Sequence, residues 1–387
     1  MPIKWALLTG CKTMPINVRP WMNGWHLPKE NFRSVIVFCK TGFVNFGMKT
    51  YHKILLLFIA VALSFKVKAQ TNQEAVNLVK QGVALHDEGK YAEAIEKYQA
   101  ALKLDPNYPT AYHEMSYTLF SSGKGKEAIP YLEKLMKLDP KSGGAYDMLG
   151  SIYDDDNQPE KAIELFQKGI SIDPDYQRLH YNLAITYYRV KKYKESEDAA
   201  VDAIKLQPKH ASSQRAYAMA LAMEGKRGCS LLAWCSFLML EPQTKRSAGA
   251  YQSIQAILHY GIKKTGEKSI NMTIDKNDLN TGNLILPMAI VNATSGKTNL
   301  SVTDSLKFQL IEAFKVSSSF YGDQKNDFYT RYMADYFKQL GQSENMDAFA
   351  HLVSLTANQE ENAKWFKENE KLLTALDTWV TNTKREF

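Results

Sequence analysis

Five proline-terminated tripeptides lay a ruler along this 387-residue chain. "LDP" ends at Pro106 and Pro140, "IDP" at Pro174, "LQP" at Pro208 and "LEP" at Pro242, so successive prolines stand 34 residues apart. A period of that length is the mark of stacked helix–turn–helix units, each too small to bury its own apolar face alone. The residue types within a unit agree. Leu78, Gly82 and Leu85 recur at i, i+4 and i+7, the spacing of one helix face, before Gly89-Lys90 interrupts. Ala94, Tyr98 and Ala101 line the inner face of a second helix, where small residues allow close approach. Pro106 stops that helix, because proline lacks an N–H and clashes with the preceding turn.

The other units repeat this small–large–small order with substitutions. The third has Tyr146, Leu149, Gly150, Tyr153, Ala162, Phe166, Gly169 and Pro174. The second keeps Tyr112, Ala128 and Pro140 but has Ser116 and Leu135 where smaller residues are usual. The fourth has Leu183, Ala184, Tyr187, Ala203 and Pro208, with Ser196 for the usual alanine. The fifth diverges most, keeping Tyr217, Ala218, Leu221 and Pro242 beside Ser230, Trp234 and Phe237. That divergence is expected of a terminal, capping repeat.

Over residues 75–243 these positions resemble the tetratricopeptide repeat family. The resemblance implies a mainly all-α chain: an α-α superhelix of five hairpins whose first helices line a concave groove that takes a peptide or partner helix. On that basis the groove is expected to carry Tyr117, Phe120, Asp147, Met148, Arg178, Tyr181, Asn182, Tyr188, Arg189 and Arg215. Each is as apt to pack between repeats as to face a partner. Tyr, Met and Arg are the types enriched at protein interfaces. Charge along the groove is split, acidic at Asp147 and Asp154 and basic at Arg178, Arg189 and Arg215, which suggests a partner of split charge and makes Arg178 and Arg189 the residues to reverse. The carboxylate clamp of chaperone-binding members is not expected, since only Asn182 stands at a matching position.

Ahead of the repeats lies "MKTYHKILLLFIAVALSFKVKAQ". Lys49, His52 and Lys53 form a basic end, Ile54 to Phe65 an apolar run, and Val67-Lys68-Ala69 a small-residue cleavage pattern before Gln70. The run is shorter than the roughly twenty residues that span a bilayer. Residues 48–69 are therefore expected to be a cleaved secretory signal, the alternative being an uncleaved signal-anchor. Residues 1–47 are expected to be an extension upstream of the true start, the alternative being a long signal n-region. The chain from Gln70 carries 38 basic and 40 acidic residues, so the formal charge of +7 belongs to the leader and gives no argument for nucleic acid. The expected location is periplasmic or at the cell surface, with no membrane span after cleavage. Cys229 and Cys235 follow Gln70, six residues apart on one helix, so their sulfurs diverge and both are expected to be buried thiols.

Fragments that approach chemical motifs fail on spacing. "HEMSY" lacks the second histidine of a zinc-protease helix, and "GKGKE" the spacing and hydroxyl of a phosphate loop. "DDDNQPE" has no glycine or closing glutamate at calcium-loop spacing and reads as a solvated turn. No cofactor, metal site or catalytic residue is expected.

Beyond Pro242, residues 244–268 read as a capping helix and 269–387 as a mainly helical domain with a small β element. Ile270, Met272 and Ile274 alternate as in a strand. "NLILPMAIVNAT" reads as an edge strand or a break at Pro287. Phe328, Tyr329, Tyr332, Met333, Tyr336, Phe337 and Leu340 make an apolar stripe expected in a core, closed by Gly341. Ser343 opens a further helix, and Asn358 with Glu361 opens the last in capping-box fashion. The expected function is a non-enzymatic interaction scaffold in the bacterial envelope. The alternative is an enzyme or ligand-binding protein with its site in 269–387 and the repeats as a docking arm.

Overall fold

The computed structural model describes residues 73–265, 270–273, 280–320 and 328–387. The expected extension, signal segment and cleavage point lie outside the described residues, as does Ile274. The described chain falls into two compact units, one up to Tyr131 and one from Leu132 to Phe387.

The repeat helices are α1 (73–87), α2 (Tyr91–Leu104), α3 (Pro109–Ser121), α4 (Gly125–Leu138), α5 (Gly143–Asp155), α6 (Pro159–Ile172), α7 (Gln177–Arg189), α8 (Tyr193–Leu206), α9 (Ala211–Met223) and α10 (Arg227–Leu240). Then come α11 (Lys245–Leu258), strands β1 (Ile262–Lys264) and β2 (Ile270–Met272), α12 (Thr281–Thr294) and α13 (Val302–Phe320). A π-helical turn (Tyr329–Ala334) leads into α14 (Asp335–Gly341), followed by α15 (Met346–Val353), α16 (Gln359–Glu368) and α17 (Glu370–Asn382). The chain is mainly all-α, and its only sheet among the described residues is the antiparallel pair β1–β2, with Ile262 opposite Met272.

The 34-residue ruler reappears in the backbone. Gly89, Gly123, Asn157, Lys191 and Gly225 all have φ between 57 and 79°, the left-handed region, and each ends the first helix of its repeat. In every case the next N–H reaches five residues back, as Lys90 to the Leu85 carbonyl (2.9 Å) and Lys226 to the Leu221 carbonyl (3.0 Å). This closure satisfies end carbonyls that the helix itself cannot. In the N-terminal unit Tyr98 is fully buried beneath Gly82, whose position leaves no room for a Cβ. In the C-terminal unit Phe166 fills the same role beneath Gly150.

From Tyr146 to Leu376 the C-terminal unit shares one hydrophobic core. At its centre is α10, in which every residue from Gly228 to Met239 is buried. A helix apolar all round belongs inside a protein, and this corrects the reading of the fifth repeat as a cap. Besides α9 and α11, helix α13, the π-turn and α15 pack against α10. Ser230 faces α9 and donates to the Ala218 carbonyl at 2.9 Å, as Ser196 does to Ala184 at 2.8 Å one repeat earlier. Cys229 and Cys235 are both buried within it and form no disulfide, and full burial raises the Cys235 thiol well above its ordinary range. By contrast α11 buries only one face, through Ser247, Ala250, Ile254 and Leu258.

Three local expectations are corrected. "NLILPMAIVNAT" is helix α12, with Pro287 inside it. Pro287 has no N–H for the Asn283 carbonyl, and Arg227 donates to that oxygen instead, at 3.3 Å. The Asn280 side chain caps the helix by accepting from the Gly282 N–H at 2.9 Å. Asn358 precedes α16 but makes no side-chain capping bond. The final helix is two, broken at Asn369. The aromatic stripe is core as expected, with Phe314 of α13 against Phe337 and Phe349 at 5.0 and 5.9 Å between centroids.

Candidate partner-binding face

The first helices α5, α7 and α9 lie in successive repeats, and polar side chains join them. Asp147 of α5 is 2% exposed, accepts from the Asn182 amide at 2.6 Å and pairs with Arg178 of α7 at 3.1 Å. Ser151 receives the same amide at 3.3 Å and donates to the Asp147 carbonyl at 2.8 Å. One turn on, Asp154 accepts from the Thr186 hydroxyl at 2.9 Å and is paired with Arg189, which also donates to the Asp154 carbonyl at 3.0 Å. Burial raises the Asp154 carboxyl above its ordinary range, against the opposing pull of Thr186 and Arg189. "DDDNQPE" is thus the end of α5 and a left-handed turn at Asn157, and its first carboxylate is a structural ladder rung and not simply solvated.

The ladder changes what the split charge means. Arg178 and Arg189 spend their charge on Asp147 and Asp154, so the acidic and basic halves largely neutralise each other within the array. Reversing either arginine would set a second carboxylate against one already there, buried at Asp147 and half-buried at Asp154, and report on the ladder first.

Between α7 and α9, Gln177 donates to His210 Nδ1 and to Ser213 Oγ, both at 2.9 Å, and the Tyr181 ring meets His210 edge-on at 5.2 Å. Burial, with Arg246 and Arg178 nearby, lowers the His210 pKa. Arg246 is held by Glu241 and donates to Ser212 at 3.0 Å. Arg215 has no ion-pair partner among the described residues; its charge is felt at the Tyr188 phenol, whose pKa burial and Tyr193 nonetheless raise. Arg215, Met219 and Met223 recur every fourth residue on α9, and Tyr181, Ile185 and Tyr188 at i, i+4 and i+7 on α7. All six are partly or fully exposed, Met223 to 50%. Side chains at these spacings share a helix face.

The other expected groove residues are distributed differently. Tyr117 and Phe120 belong to the N-terminal unit, where Tyr117 stacks on His86 at 5.0 Å and His86 also contacts the Thr118 hydroxyl at 2.8 Å. Met148 is 7% exposed and sits in the interior. The sequence reading missed Gln177, Thr186 and His210 as bridging residues. An offset would have found part of the ladder: Asp147–Asn182 and Asp154–Arg189 are each 35 apart, one repeat plus one residue.

Among the described residues no group of three or more His, Cys, Asp or Glu could hold a metal, and no helix is long and apolar enough to cross a membrane.

A family profile described as TPR repeat matches residues 82–123 and 150–191, and one described as tetratricopeptide repeat matches 109–142 and 177–210. No curated protein matches the chain. Among solved structures, it is similar to the MamA protein (21% identity, TM-score 0.39, covering 50% of this chain and 99% of that one). It is also similar to pilF of Pseudomonas aeruginosa (14%, TM-score 0.43, 49% and 90%) and to a thermophilic TPR protein of Thermus thermophilus (20%, TM-score 0.39, 47% and 99%). Profile matches, the proline ruler and the repeated left-handed turn agree: over residues 82–142 and 150–210 this chain is built of tetratricopeptide repeats.

Proposed function

We propose that the chain is a non-enzymatic scaffold of the cell envelope, exported through residues 48–69, which holds a partner peptide or helix on the α7–α9 face. Tetratricopeptide repeats present protein-binding surfaces, and the observation that carries the choice of face is Arg215. It is a cation without an ion-pair partner among the described residues, beside a stripe of Tyr181, Ile185, Tyr188, Met219 and Met223, all at least partly exposed. Rigid phenols and adaptable thioethers bury contact area at low entropic cost. The partner segment therefore presents apolar side chains around one carboxylate. Burial of the aromatic stripe over 329–340 in the shared core also supports a scaffold over a catalytic C-terminal region.

Selection from a displayed random peptide library tests this. Enriched peptides are expected to carry an acidic residue flanked by apolar ones and to lose at least about ten-fold in affinity for Arg215→Glu. Lys205→Glu, on the exposed side of α8, is expected to leave binding unchanged. Equal affinity for the wild-type and Arg215→Glu chains would exclude this face. Export is checked by N-terminal sequencing of the mature protein, which should begin at Gln70; recovery of Met1 would overturn it.

A further inference from the structure

On another part of the C-terminal unit, residues 384–387 lie in a slot between α10 and the π-turn with α14. The Arg385 guanidinium sits 4.0 Å from the Tyr336 ring centroid, 5.0 Å from Tyr332 and 5.4 Å from Phe337. It donates to the Ser236 hydroxyl at 2.6 Å and faces the sulfurs of Met239 and Met333 at 3.6 and 4.0 Å. Phe387 stacks on Tyr332 at 5.1 Å and on Phe328 at 6.3 Å, nearly parallel to both. Glu386 pairs with Arg331 at 3.3 Å. Three consecutive side chains thus meet three different surfaces: an aromatic and thioether cage, a cation and a stacking platform.

Two observations mark this as recognition rather than ordinary packing. The cage is lined from a π-helical turn, a rare insertion that re-aims side chains and recurs at functional sites. The segment it holds has no helix or strand, and its backbone makes no hydrogen bond among the described residues beyond the Thr383 N–H to Trp379. Lys384, Glu386 and Phe387 remain at least partly exposed. A segment held only through side chains belongs to the low-stability end of a fold and opens locally, while the cage beneath it is core and persists.

We propose that this slot is a second peptide-recognition site, specific for an arginine, an acidic residue and an aromatic in succession, and that residues 385–387 fill it in cis until a partner segment of the same chemistry displaces them. Arginine is the cation that such a cage selects, because its flat, weakly hydrated guanidinium stacks on rings and still donates in its plane. The proposal does not rest on the α7–α9 face, and Arg215→Glu is expected not to affect it.

The test uses a fluorescent peptide with the sequence of residues 381–387. Two chains with an emptied slot are prepared: one ending at Thr383, and one carrying Arg385→Ala with Phe387→Ala at full length. Both are expected to bind the peptide saturably, and the Arg385→Ala peptide at least about ten-fold more weakly. The intact chain should bind about a hundred-fold more weakly than the emptied ones, since a tethered segment competes at an effective concentration of order millimolar. Ser236→Ala on the emptied background should weaken binding several-fold. Failure of both emptied chains to bind while melting like the intact protein would overturn the proposal. So would unfolding of both, which would make the segment a structural strap, or equal affinity for the Arg385→Ala peptide. Dimerisation of the intact chain that Arg385→Ala abolishes would place a second copy's segment in the slot and overturn assignment to a partner.

Discussion

Gly150→Ala and Gly249→Ala are the same chemical change with opposite expected signs. A Cβ built on Gly150 would stand 2.4 Å from Phe166 Cε1, 2.7 Å from Cδ1 and 2.9 Å from Cζ. Carbon atoms pack at about 3.5–4.0 Å, so the ring must retreat by about 1 Å. Phe166 is 1% exposed, and a close-packed interior has no free volume to receive it. Overpacking of this kind costs about 1–3 kcal/mol. Replacing glycine by alanine within a helix returns about 0.5–1 kcal/mol. The balance for Gly150→Ala is a loss of up to about 2.5 kcal/mol, centred on about 1 kcal/mol. Gly249 lies on the exposed side of α11 with nothing within 4 Å of an added Cβ, so only the helical gain applies. Urea unfolding followed by circular dichroism should place the two midpoints on opposite sides of the wild type. Thermal midpoints should separate by several degrees, at about 2–4 °C per kcal/mol for a domain of this size. A Gly150→Ala chain as stable as the wild type would refute the packing argument, and a destabilised Gly249→Ala chain the helical one.

Two further outcomes are expected. Lys191 holds φ at 63° where three of the five repeats have glycine; Lys191→Gly should raise the melting temperature slightly, by relief of up to about 1 kcal/mol of backbone strain, and an unchanged or lower midpoint would count against it. His210 and His351 both have pKa values lowered from the usual 6.5, chiefly by burial. The unfolded chain therefore takes up protons first, and the stability these residues contribute is present above about pH 6.5 and lost as pH falls below it. The drop in melting temperature between about pH 7.5 and 5.5 should shrink in His210→Asn/His351→Asn, and the same drop in that variant would refute this.

The repeats were legible because their information is local and periodic. Pro106, Gly82 and Tyr98 announce a hairpin within one unit, and the period repeats it. Only part of the candidate face was readable that way. Residue type and helical spacing place Tyr181, Tyr188 and Arg215 together, but whether a charge is free depends on what stands across the neighbouring helix. Arg178 and Arg189 look as available as Arg215 until Asp147 and Asp154 are seen against them. Pro287 misled for a related reason: its penalty is a missing bond to the Asn283 carbonyl, and Arg227, 60 residues earlier in sequence, supplies a replacement.

What the sequence determined by itself is the repeat unit: its length, its turns and the small and large residues that mesh within it. Only the tertiary structure decided that α10 is a core helix instead of a cap, since an apolar second face signals burial without saying what covers it. The structure alone also brought Arg385 to Ser236, 149 residues away, because nothing periodic links a side chain on a repeat helix to the segment that closes over it.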